Sequence, residues 1–405
     1  MSIGKAEYLR TLTTSTLQGR SVPIGTELDG SSPPSIFIGS AGYPKVFAGP
    51  LITPEHGDTG VYDTPESWIP AKKSQEEIIG YRLGLVRGKR LVETTDIHSR
   101  FVSQLQEIVL SDTSVESEAA FLEVPTGFSF SEEHAPFGPS ASIDKLSCEP
   151  VRWNHHLERA FDDTDLLARD AVINLHKEKV PFSSIQKAFS AGTMGNGKKR
   201  HLVPTRWSIT AVDSTLANHL FHQVKKFSLI DSWRVHEFSS LHNRYAVILT
   251  PTGWQYEWTE AFIRVLGDEE LIFSDSEIKS PKTEYSTVGG CYYTCKMAIL
   301  EALLREQKQA GAIVLREATE GYVPLGVFNV RENVRNAMLT KGLEFETFKD
   351  AFSYASGKMT LKPEQFITSG KLLRSLMKEQ QTRLSDFSHH KNLMLMRPKY
   401  KSTEE

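Results

Sequence analysis

The sequence predicts a mixed α/β fold of the α+β kind, with a larger N-terminal unit, a smaller C-terminal unit and a flexible C-terminal tail. Three observations carry that prediction. The 405 residues are 39% hydrophobic and 24% charged, close to the average ordered globular chain and long enough for about two or three structural units. Short β-rich runs and helical periodicities occur in both halves. A polar stretch at 274–287, where Asp, Ser, Lys and Pro cluster without period, divides 35–275 from 285–378.

Residues 1–34 are rich in Ser, Thr, Gly and Pro and read as a loosely ordered arm that enters the body through Pro33 and Pro34. At 35–51 two β-rich runs are broken by Gly and Pro at 39–44, a strand-turn-strand signal that leaves Lys45 just past the turn. Ser74 followed by Glu77 reads as a capping box, and the periodic run behind it predicts a helix ending at Gly88. A helix is expected over 96–110, turns over 128–150, and helices over 164–179 and 182–191 with Gly192 as the cap. Residues 192–199 read as a loop, 233–250 as a β-hairpin broken at Asn243, and 257–266 as a helix. In the smaller unit the pattern gives a helix at 291–307, strands at 312–316 and 323–330, and helices at 332–339, 345–355 and 363–378. The Lys-rich, unpatterned residues 379–405 form the tail.

Composition excludes several functions. There are 47 basic and 50 acidic residues, a net charge of −3, so no generally cationic surface exists and any nucleic-acid contact must come from local patches. Three cysteines, Cys148, Cys291 and Cys295, fit a reducing compartment better than a disulfide framework. No signal-like apolar region and no long apolar run occurs, which points to a cytoplasmic address and no membrane role.

Residues 192–199, GTMGNGKK, have P-loop spacing, yet Lys199 stands where the magnesium-binding hydroxyl belongs and a helix precedes the loop. The loop leads into KKRHLVPTRWSITAVD, which gathers Lys198, Lys199, Arg200, His201 and Arg206 beside Trp207. Guanidinium groups suit phosphate oxygens and an indole can stack on a base. The plainer reading is a solvated basic turn with Trp207 in the core. Arg331 and Arg335 lie four residues apart at the start of a helix, a clamp for an anion or else the partners of Glu301 or Glu317. Arg316 and Glu317 end a strand, where α/β proteins often place ligand-facing groups. Asp213, Glu257, Glu260 and Glu317 are the acid, base or metal candidates, and no spacing among them demands a metal or a carboxylate dyad. In the tail, Gln381, Leu384 and Phe387 recur every third residue, so one 3₁₀-like turn would present all three together.

The strings SPPSIFIGSAGYPKVFAGPL (32–51), KKRHLVPTRWSITAVD (198–213), GGCYYTCKMAILEALLREQKQAGAIVLRE (289–317) and GVFNVRENVRNAM (326–338) resemble the archaeal Nre DNA-repair family, over most of the chain. The resemblance implies a repair role associated with the sliding clamp. It also implies a C-terminal clamp-binding peptide, with Gln381, Leu384 and Phe387 as anchors and Ser388 where such peptides usually carry a second aromatic. Some relatives begin with a four-cysteine zinc finger. No cysteine precedes Cys148 here, so no zinc finger is expected.

Three functions follow. The first is a repair factor recruited by the sliding clamp that contacts DNA through Lys45, Lys198, Lys199, Arg200, His201, Arg206, Trp207, Arg316, Arg331 and Arg335. The second is a nuclease or other hydrolase of a nucleotide or nucleic acid, using Asp213 or Glu317 with or without a divalent metal. The third is a non-enzymatic clamp adaptor, in which the basic segment would be structural.

Overall fold

Alternation along 115–121 produces a strand that buries every second side chain. In the computed structural model, which describes residues 24–378 apart from 132, 133, 266, 279 and 281, that strand belongs to a six-stranded sheet. It comprises β1 (Glu27–Ser32), β2 (Ile36–Ile38), β3 (Lys45–Ile52), β4 (Val86–Glu93), β5 (Val115–Phe121) and β6 (Ser140–Cys148), in the order β1-β5-β6-β4-β3-β2. Neighbours are antiparallel except β4 and β6. The ordered body therefore begins before Ser35: β1 lies in the segment expected to be a loose arm, and its register with β5 buries Leu28.

Local chemistry is a good guide to several boundaries. Ser74 Oγ accepts from the Glu77 N–H at 3.1 Å and Glu77 Oε2 accepts from the Ser74 N–H at 2.9 Å, the reciprocal capping box. That helix ends at Leu83, capped by Gly84, and the residues up to Gly88, expected to continue it, instead begin β4. The segment 128–150, expected to be turn-rich, also contains β6. Helix α1 (Arg100–Leu110) covers the inner face of the first sheet with Phe101, Val102, Leu105 and Ile108.

The second sheet contains β7 (Trp233–Ser240), β8 (Asn243–Thr250), β9 (Tyr256–Ile263), β10 (Glu270–Glu277), β11 (Gly311–Ala318) and β12 (Leu343–Phe345), ordered β10-β9-β11-β8-β7-β12. The β7–β8 hairpin turns at Leu241 and His242, both at positive φ, and Asn243 Nδ2 donates to Leu241 O at 2.6 Å. β11 enters between β8 and β9, so the polar stretch at 274–287 separates parts of one sheet. β9 replaces the helix expected at 257–266. It is buried along its whole length, and burial on both faces removes the alternation by which a strand is recognised. Residues 323–327 are irregular where a strand was expected, and helix begins at Phe328.

Between the sheets lie α2 (Phe182–Ser190), α3 (Thr205–Val224), α4 (Gly290–Glu306) and α5 (Phe328–Ala337). α4 packs against both α3 and α5. One continuous core runs from the inner face of the first sheet through this layer to Val247, Leu249 and Val314 of the second. Phe348, Phe352, Phe366 and Leu373 cover the second sheet's other face. Among the described residues, no helix is long and apolar enough to cross a membrane.

Candidate nucleic-acid interface

The turn between β2 and β3 meets the start of α3. Ile38 donates its backbone N–H to Thr205 Oγ1 at 3.0 Å. Leu202 donates to Thr94 O at 2.7 Å, and Thr94 to Pro44 O at 3.0 Å. These bonds bring Tyr43 and Trp207 together with ring centroids 5.0 Å apart, yet both rings stay in solvent, 46% and 44% exposed. The period of two along β3 then places Lys45 and Phe47 outward, and the register pairs Phe47 with Leu91 of β4, at 45% and 47% exposure. Farther along β4 the Arg87 guanidinium lies 4.4 Å over the Phe37 ring. Burial pushes Arg87 down to about 10, and its Nε has no hydrogen-bond partner among the described residues. A single exposed apolar side chain means little, but a run of them on one face with interleaved cations marks an interaction surface.

Burial divides the basic segment singled out in the sequence. Lys198 and Lys199 stand exposed on the 3₁₀ turn Gly197–Lys199. His201 is exposed, its Nδ1 donating to Lys199 O at 2.8 Å, and Arg206 is exposed beside Trp207. Arg200 turns the other way and donates to the carbonyls of Gly195 and Phe161 at 2.8 Å and of Asp163 at 3.0 Å. It ties the turn to the end of the helix His155–Asp162.

The remaining candidates lie inside the fold. Arg331 Nη2 donates to Asp213 Oδ2 at 2.8 Å, Thr294 Oγ1 donates to the same oxygen at 2.6 Å, and the guanidinium sits 3.4 Å over the Phe182 ring. Burial pushes the Asp213 carboxyl up, against the pull of Arg331 and Thr294. Arg335 bonds Glu301 at 2.8 Å and Glu332 at 2.9 Å, so the two arginines find carboxylates rather than form a surface clamp. Arg316 is 1% exposed and donates to Glu260 at 2.8 Å, Asn243 at 2.9 Å and Tyr322 at 3.1 Å. Glu317 accepts the N–H groups of Thr360 and Leu361 at 2.8 Å. Glu257 does the same for Leu372 at 2.7 Å and Leu373 at 3.1 Å. The candidate catalytic carboxylates are thus engaged in holding helices and chain segments. Among the described residues no group of three or more His, Cys, Asp or Glu side chains could hold a metal ion.

Sequence reasoning missed two groups. The first, Tyr43 and Phe47, does carry a signal in the sequence, the outward period of two around Lys45. The second group is the buried Asp63, which accepts from Arg82 and Ser35 and pairs with Lys187 at 2.8 Å. Burial works to raise its carboxyl, but Arg82 and Lys187 prevail and hold it below the usual range. Lys187 lies 124 positions away, so no local pattern announces that cluster. Gln381, Leu384 and Phe387 lie outside the described residues.

Archaeal Nre N-terminal and C-terminal family models match residues 8–265 and 277–387. The chain is 37% identical to DNA repair protein NreB of Archaeoglobus fulgidus over 366 residues, 87% of this chain and 90% of that protein. It is 33% identical to DNA repair protein NreA of the same organism, over 86% of this chain and 90% of the relative. DNA repair protein NreA of Haloferax volcanii is 30% identical, over 81% and 82% respectively. No solved structure matches.

Proposed function

This chain belongs to the archaeal Nre family, and we propose that it serves DNA repair by holding a DNA strand on the face formed by Tyr43, Lys45, Phe47, Arg206 and Trp207, with Lys198, Lys199 and His201 alongside. The names of its three relatives support the repair role. The observation that carries the DNA contact is the solvent-exposed Tyr43–Trp207 pair with lysine and arginine next to it. Aromatic faces stack on bases whatever their sequence, worth about 1–3 kcal/mol per base, while the cations follow the phosphates. No observation favours the hydrolase alternative, because Asp213 and Glu317 spend their oxygens on buried partners.

Fluorescence anisotropy with a labelled single-stranded oligonucleotide over a salt series tests this. Binding should weaken as salt rises, with a log–log slope of about −0.7 for each phosphate neutralised. Flat salt dependence, or no binding at low salt, would sink the reading. The sliding clamp is the proposed recruiter through Gln381, Leu384 and Phe387, and Phe387→Ala should then abolish co-elution with the clamp.

A further inference from the structure

Beneath the exposed face, a cavity of about 70 Å³ lies among Ser35, Asp63, Arg82, His134, Lys187, Thr205 and Arg331. It adjoins the face at two places. Thr205 is followed on α3 by Arg206 and Trp207, and the His134 ring is 6.1 Å from that of Phe37. Half-buried His134, Ala135 and Ile209 mark its rim. At on the order of 30 Å³ per water, the space admits two or three water-sized groups, the scale of a tetrahedral oxyanion and well short of a nucleobase.

The polar inventory is one-sided. Asp63 is saturated: one carboxylate oxygen accepts from Arg82, the other from Ser35 and Lys187. Asp213, behind Arg331, is saturated by Arg331 and Thr294. The donors are not. Arg82 spends Nε on Pro136 O and Nη1 on Tyr62 O and Asp63. Arg331 spends Nε and Nη2 on Asp213. Among the described residues, neither Arg82 Nη2 nor Arg331 Nη1 donates a bond, although both side chains are more than nine-tenths buried. Lys187 Nζ donates to two oxygens of Asp63 and keeps a third proton. Buried donors normally find acceptors, so these leftover N–H groups around one cavity describe a missing acceptor. The cavity's own lining carries three cations and one carboxylate, with Asp213 behind Arg331 and Glu66 behind Ser183. The 20-residue helix α3 also begins at Thr205 without a side-chain cap, which adds its positive end, whereas Glu66 already caps α2 through Ser183.

We infer that this cavity is a phosphomonoester-binding pocket, in which Arg82, Lys187, Arg331 and the Thr205 hydroxyl receive a terminal phosphate. The preferred source is the phosphorylated end of the strand held on the adjoining face, and in that respect the inference rests on the proposed DNA contact. Free phosphate presents the same group.

Three oligonucleotides of one sequence, with a 5′-phosphate, a 3′-phosphate or neither, should be compared by anisotropy at fixed salt. One phosphorylated form should bind about tenfold tighter, through charge-assisted bonds the bare end cannot make. Removing Arg82 would strand Asp63 and could unfold the protein, so the discriminating variant is Ala135→Phe, which plugs the rim and keeps every charge. It should erase the phosphate advantage and leave binding of the unphosphorylated strand unchanged. Melting with inorganic phosphate forms the second arm, with stabilisation expected in the wild type and absent in Ala135→Phe. Strand binding with neither a phosphate advantage nor phosphate stabilisation overturns the pocket while the face survives. Phosphate stabilisation that Ala135→Phe abolishes, without strand binding, supports the pocket with free phosphate as source and removes the DNA contact. No response in either arm overturns both.

Discussion

The outer face of the first sheet and the helical layer behind it use the same kind of residue, the cation, to opposite ends. On the face, Lys45, Lys198, Lys199 and Arg206 stand in solvent beside Tyr43 and Trp207. In the layer, Arg331 and Arg335 lie against Asp213, Glu301 and Glu332. An exposed cation gains little from any protein partner it has, so such a pairing yields readily to a ligand. A buried one must be neutralised within the fold, because leaving either member unpaired costs several kcal/mol. Exposure therefore separates the DNA-contact candidates from the scaffold more sharply than residue type does.

Removing one side of a buried pair should have the largest effect. Asp213→Ala strands Arg331 and should lower stability by about 3–5 kcal/mol in urea denaturation. A loss below about 1 kcal/mol would erase the contrast between the regions. Trp207→Ala should do the reverse, weakening single-strand binding by about 1–3 kcal/mol while stability stays within about 0.5 kcal/mol. A collapse in stability instead would return Trp207 to the core.

The pH dependence sharpens the buried side. Burial pushes Glu332 up to about 7, with Arg335 pulling against it. Its folded value exceeds the unfolded one, near 4.3, so the folded state holds a proton that the unfolded state releases. That stabilisation is complete below about pH 4 and is lost as pH rises through 7. Glu301 has the opposite sign. Burial would raise it, but His176 and Arg335 hold it down to about 2, so its contribution is present above about pH 4 and lost as pH falls toward 2. Glu332→Gln, which keeps an acceptor for Arg335, should flatten the decline in stability between pH 5 and 7.5, read from denaturation midpoints. An unchanged decline would assign it to another group. The smallest effect should come from Lys198→Ala with Lys199→Ala, which should reduce the magnitude of the salt slope by about 0.7 for each phosphate no longer neutralised without moving the melting temperature.

Much is legible along the chain where causes are local. The Ser74–Glu77 box, the helix at Gly290–Glu306, the β7–β8 hairpin and the strand-turn-strand around Lys45 each depend on residues within a few positions of one another. Seven strands, β1, β4, β5, β6, β9, β10 and β12, are not legible. β9 is buried on both faces and carries Glu257 and Glu260, whose charges imitate the polar side of a helix until their buried partners are known.

By itself, then, the sequence determined the mixed α/β class, the local caps and turns, the family strings and the basic segment beside Trp207. Only the tertiary structure decided which cations face solvent, because Asp213 meets Arg331 across 118 positions and Lys187 meets Asp63 across 124. Burial sets the energy of a charge, and burial belongs to the assembled layers: Arg331 becomes the counter-ion of Asp213 once α3, α4 and α5 close around it, and only the enclosing fold decides which of its N–H groups is left toward the cavity.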